Sequence, residues 1–262
     1  MNRAERRRQL KDDRRLVERG LDWERTDGAE VIALMRVLHA LIEDSRDAGT
    51  VAPLMEYFHD NLRAAGRAAP RRAIACKLGC AHCCHAWVSA RAPEALFMKR
   101  AIPMRDLEAV QASVERTYAV TGTLGVDQRA GMGVPCSLLR GSQCQAYEAR
   151  PVTCRMAASE SAAVCARAFL PGAVGEPIPT FEYYLATRRG YSLALAGALK
   201  RGGFPSHSYE LNAALRAVLA RPDAEAAWLA GEDVFARVPT EPGGDPFESP
   251  RNLSLYEAAW AG

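Results

Sequence analysis

Cys76, Cys80, Cys83 and Cys84 fall within nine residues in the order C-x3-C-x2-C-C, and Cys136, Cys144, Cys154 and Cys165 follow as widely spaced singles. Thiols this dense either bind metal or pair as disulfides. A reducing compartment keeps them free and favours metal. Geometry points the same way: Cys83 and Cys84 have Cα atoms only about 3.8 Å apart, and neighbouring cysteines rarely close on each other without strain.

Four thiolates satisfy either a structural zinc or an iron-sulfur cluster, and eight supply two such sites or one with spares. Zinc knuckles usually present two C-x2-4-C pairs. One dense cluster followed by isolated cysteines suits iron-sulfur ligation, 4Fe-4S in particular. Zinc stays open, because a tetrahedron can be assembled from distant residues and the vicinal pair can bridge two metals. All eight cysteines are therefore metal-ligand candidates. Four thiolates around such a centre leave about two net negative charges in a partly buried place, which is costly unless compensated. Lys77, Arg140, Arg150 and Arg155 lie within a few residues of the ligand candidates and can donate to sulfur, and Tyr147 sits in the same stretch. His82 and His85 flank the vicinal pair; with thiols abundant, they are expected to stand beside the metal rather than ligate it.

Cys76, Cys80 and Cys83 also have the C-x3-C-x2-C spacing of radical S-adenosylmethionine enzymes, but those place the motif on repeated strand-helix units that this chain lacks. No Gly-rich phosphate loop follows a strand and no G-x-S-x-G occurs. Glu94 reads equally as a helix-start residue and as a catalytic one.

The elements that must position these thiols read as helices. Val31, Leu34, Met35, Leu38, Leu41 and Ile42 recur at helical spacing behind Asp27 as a candidate N-cap and before Gly49 as a stop. Val51, Leu54, Met55, Phe58 and Leu62 form a second stripe, so 27–65 is expected to be a helical hairpin in which His39 and His59 are core or surface residues rather than ligands. Trp87-Val88-Ser89 is extended in character, Pro93-Glu94 starts a helix, and Leu107 to Tyr118 marks another. Glycines over 121–134 suggest a flexible connection. From Cys136 to Cys165 no period persists. Further helices follow over 181–199 and 211–219, with Trp228 and Phe235 as anchors. The expectation is a mainly α fold: helices flanking an irregular, cysteine-ligated middle with at most small strands. Its parts are a basic helical arm at 1–20, the hairpin, a cysteine domain at 74–170, a C-terminal helical region at 180–237 packed on it, and a poorly ordered tail at 238–262.

At 262 residues, 48% hydrophobic and 25% charged, the chain can bury a core without help. Of the net charge of +3, residues 1–19 contribute +4, from eight basic and four acidic side chains. Those acidic residues interleave the basic ones, which favours a solvated helix over a nucleic-acid-binding arm. No apolar run follows the basic residues and none is long enough to span a membrane, so a cytoplasmic protein without membrane contact is expected.

The combined pattern Cys76, Cys80, Cys83, Cys84, then Pro135-Cys136, Cys144, then Tyr147-x-x-Arg150-Pro151-x-x-Cys154-Arg155 resembles the YkgJ-type cysteine-cluster family of zinc- or iron-chelating domains. It covers roughly residues 74–156; Cys165 lies beyond the core pattern. The resemblance implies a bacterial metal-binding protein of unassigned reaction. The flagellin lysine-N-methylases, which look like distant relatives, suggest a methyl-transfer option. The expected function is metal binding, the cofactor an iron-sulfur cluster or zinc, with a redox or methyl-transfer enzyme and a metal-stabilised adaptor as alternatives.

Overall fold

The computed structural model describes residues 2–20, 28–70, 74–173, 176–241 and 245–261. Helix α1 (Arg3–Glu18) starts at an Asn2 cap whose Oδ1 accepts from the Ala4 and Glu5 amides, while the Glu5 carboxylate accepts from the Asn2 amide. It is docked rather than fully solvated: Val17 is buried, and buried Asp13 receives two hydrogen bonds from Arg36, at 2.8 and 2.6 Å.

Arg36 belongs to α2 (Ala29–Ala48), whose expected stripe from Val31 to Ile42 is buried, at about 1.5–3 kcal/mol for each large aliphatic side chain. The helix stops at Gly49, at φ 66°, where the Thr50 amide reaches back to the Ser45 carbonyl at 3.1 Å. Asp27, the expected N-cap, lies outside the described residues. Helix α3 (Ala52–Ala68) follows and packs on α2, burying Leu54, Met55, Phe58 and Leu62.

Helix α9 (Glu182–Arg201) lies along α2 so closely that a Cβ on Gly197 would come 2.6 Å from the Met35 sulfur. Helix α4 (Ala92–Ala101) and α5 (Leu107–Thr121) both pack against α10 (Leu211–Leu219). The two-residue strand β1 (Ser89–Ala90) pairs antiparallel with β4 (Tyr209–Glu210), and β2 (Leu139–Arg140) with β3 (Gln143–Cys144). Helix α11 (Ala224–Leu229) brings in Trp228, stacked on Phe204 at 4.2 Å, and Phe235 stacks on Tyr209 at 4.9 Å. The protein is mainly α, as its periodicity indicates, and no helix among the described residues is long and apolar enough to cross a membrane.

Two segments differ from expectation. The stretch 121–134 is not all connection, for α6 (Val126–Gly131) forms there, started by the Gln128 side chain accepting from the Gly125 amide at 2.9 Å. The stretch 238–262, read as a loosely ordered tail, carries α12 (Pro250–Trp260), which packs on α2 with Ala259 and the preceding Phe247 buried. Pro250 presets the first helical φ, and the Pro/Gly-rich run before it masks the short apolar face behind it.

Candidate metal centre

Each cysteine is delivered by a specific local device. The Ala75 amide donates to the Ser159 carbonyl at 2.8 Å and the Ser159 amide to the Cys76 sulfur at 3.3 Å, tying the start of the cluster to the chain entering α8 (Ala162–Ala168). Gly79, at φ 86°, permits the turn that leads to Cys80. A single 3-10 turn over His82–His85 presents Cys83 and Cys84.

The later cysteines are brought to this turn from three directions. The Cys136 amide donates to the Cys84 carbonyl at 2.8 Å, and the β2–β3 hairpin, turning at Gly141 with φ 60°, returns Cys144 opposite Leu139. Cys154 rides on the short α7 (Val152–Arg155). Cys165 is buried on α8.

Buried polar side chains outside the cysteine pattern hold these arms. Glu94, at the start of α4, accepts from its own Arg91 amide and, with its other oxygen, from the Val152 amide of α7, both at 2.8 Å. Burial pushes its carboxyl up, against those two amides. Glu94 is thus a helix-start residue with a second task, positioning the turn that carries Cys154. Asn212 accepts from the Ser137 amide, next to Cys136, at 3.1 Å, and is itself held by Glu210 at 2.8 Å. Glu94→Ala should cost about 2–3 kcal/mol, the price of leaving two buried amides unpaired, with Glu94→Gln intermediate. Urea unfolding measures it; an unshifted midpoint in the alanine variant would show that the clamp is not needed.

Seven cysteines, all but Cys165, line one cavity of about 410 Å3. A smaller cavity of about 200 Å3 is lined by Cys76, Cys80, Cys83 and Cys154 again, with Cys165 and His82. All eight thiols are free. Among the described residues no three Cys, His, Asp or Glu side chains form a closed metal-ligand group; the thiols ring the cavities instead.

Burial raises the thiol pKa of Cys76, Cys144 and Cys154 and pushes Cys136 up to about 12. Cys83 is raised first by its hydrogen bond with Cys84, then by burial. Unassisted, these thiols stay protonated, and a metal that binds them displaces the protons.

Cations oppose that burial. Arg150, its guanidinium 3.6 Å from the Tyr147 ring centroid, draws down Cys83, Cys144 and Cys154. Arg155 lies on the cavity wall, but its field falls on His59 and Arg150. Arg140 turns away towards Asp106, at 3.9 Å. His85 lines neither cavity; its ring Nδ1 is 3.1 Å from the His82 carbonyl. His39 packs edge-on against Trp260, and His59 stacks on Phe97.

Arg129, on α6, went unnoticed in the sequence. It is fully buried and acts on Cys136; its Nη1 donates to the His85 carbonyl at 3.0 Å and to that of Val134, while Nε and Nη2 have no partner among the described atoms. A buried guanidinium with unmade donors is costly beside neutral thiols and favourable beside thiolates. The soft sulfur donors that line the two cavities suit zinc or iron.

Residues 75–168 match the family model CxxCxxCC, described as a "putative zinc- or iron-chelating domain". The match spans 94 of the 262 residues. It takes in all eight cysteines, Cys165 included, together with Glu94 and Arg129, whereas Asn212 and Glu210 reach the matched segment from outside. Comparison with curated proteins and with solved structures gave no match.

Proposed function

We propose that this protein binds metal through its cysteine thiolates, holding zinc or an iron-sulfur cluster that orders the middle of the chain. The observation that carries the reading is the approach of seven cysteines, from the 76–84 turn and from three later points of the chain, to a single cavity. Cysteine sulfur is soft and suits both centres. Bound zinc supplies a cross-link and Lewis acidity; a bound cluster supplies one-electron chemistry. The chain's own part is to gather the thiols, to offset their charge with Arg150 and Arg129, and to keep the site half-buried.

Metal analysis with a visible spectrum, on protein purified anaerobically without added metal, tests this. Stoichiometric iron with acid-labile sulfide identifies a cluster, and colourless protein with stoichiometric zinc identifies the alternative. Neither metal at stoichiometry would sink the proposal. Stripping the metal with a chelator should speed protease cleavage within 74–168 on the order of tenfold or more, because a ligand bound only to the ordered form stabilises it by RT ln(1 + [L]/Kd). The helical circular dichroism should change little, since α2 packs on α3 and α9 through apolar faces outside that segment. Unchanged cleavage would mean that the segment is ordered without metal.

A further inference from the structure

We infer that the eight cysteines form two four-thiolate metal sites, Cys76, Cys80, Cys83 and Cys165 in one, Cys84, Cys136, Cys144 and Cys154 in the other, meeting at the vicinal pair. This rests on the metal-binding reading above and adds the number of sites and the membership of each. Two backbone staples sort the thiols. The first joins residues 75–76 to Ser159 and so sets Cys76 beside the segment leading into the Cys165 helix. The second joins the Cys136 amide to the Cys84 carbonyl, and the hairpin then carries Cys144 back to the same side.

The cavities separate Cys165 from Cys84, Cys136 and Cys144. Cys84, Cys136 and Cys144 line only the larger one and Cys165 only the smaller, while Cys76, Cys80, Cys83 and Cys154 form the wall between them. Helix α8, which carries Cys165, packs on the His82–His85 turn that presents Cys83. Cys83 and Cys84 are neighbours on a single turn, one in each set. Four thiolates complete a zinc tetrahedron or a 4Fe-4S cluster. Each sulfur that takes the metal gives up its proton to solvent.

Titration of the chelator-stripped full chain with Zn2+ counts the sites. Wild type should saturate at two equivalents, and Cys165→Ser and Cys144→Ser should each retain one, with Cys83→Ser/Cys84→Ser losing both. Helical circular dichroism verifies folding of each variant; where one does not fold, Cys80→Ser or Cys136→Ser stands in for the same set with the same expected result. Saturation of wild type at one equivalent, full retention in Cys165→Ser, or loss of all metal in either single variant overturns the partition while leaving metal binding intact. Wild type that takes up no zinc, and carries no iron as purified, overturns the metal-binding reading and the partition together.

Discussion

Arg129→Leu should lower the unfolding free energy of the metal-loaded protein by about 3–5 kcal/mol, the range for removing one partner of a buried charged arrangement. Three losses add. The His85 and Val134 carbonyls forfeit their shared donor, the thiolate end of Cys136 loses its cation, and Glu210 loses the positive charge that faces it. The same substitution should cost the metal-stripped protein less, because there Nε and Nη2 are orphaned against neutral thiols and removing them relieves a desolvation penalty. The difference between the loaded and stripped proteins is therefore the readout, by urea unfolding with and without chelator. Arg129→Lys keeps the charge but not the fork and should fall between. Equal losses in both states would show that Arg129 is a scaffold residue without a role in charge compensation.

Lowering the pH should destabilise the protein through His59. Its ring is buried, stacked on Phe97 at 5.2 Å, with neither nitrogen hydrogen-bonded among the described residues. Burial, followed by the fields of Arg155, Arg63 and Arg150, lowers its pKa to about 3. The unfolded chain protonates this histidine near its ordinary value of about 6.5. Between those two values the unfolded state binds more protons than the folded one, so stability falls as pH falls. The loss is about 2 kcal/mol at pH 5 and about 4 kcal/mol at pH 3.5. His59→Phe keeps an aromatic ring in the stack and removes the titration, so from pH 7.5 to pH 5 it should lose about 2 kcal/mol less than wild type. Metal release in acid affects both proteins alike and cancels from the comparison. Identical pH slopes would mean that His59 takes up its proton in the folded state without penalty.

Much of the helical scaffold is legible because a packed face leaves a local period. The stripe from Val31 to Ile42 is buried as spaced, Gly49 ends its helix in the left-handed region, and 211–219 is a helix at those limits. Where the period was short or interrupted, reading failed. Helix α6 is six residues among glycines that obscure its local Gln128 cap, and α12 follows a Pro/Gly-rich run and is held by packing on α2, which a window of sequence does not contain.

By itself the sequence determined the donor chemistry, since the type and density of eight cysteines limit the ligand to a soft or borderline metal whatever the fold. It also determined that four of them sit on one short segment, since 76–84 spans only nine residues. Only the tertiary structure decided which distant thiols share a cavity and what holds them there. Arg129 against His85, Glu94 against Val152 and Asn212 against Ser137 are each single contacts between elements far apart in the chain. Such contacts repeat at no interval and mark no local pattern; they exist because packing the apolar faces of α4, α5, α9 and α10 leaves those polar groups buried, where each must find a partner.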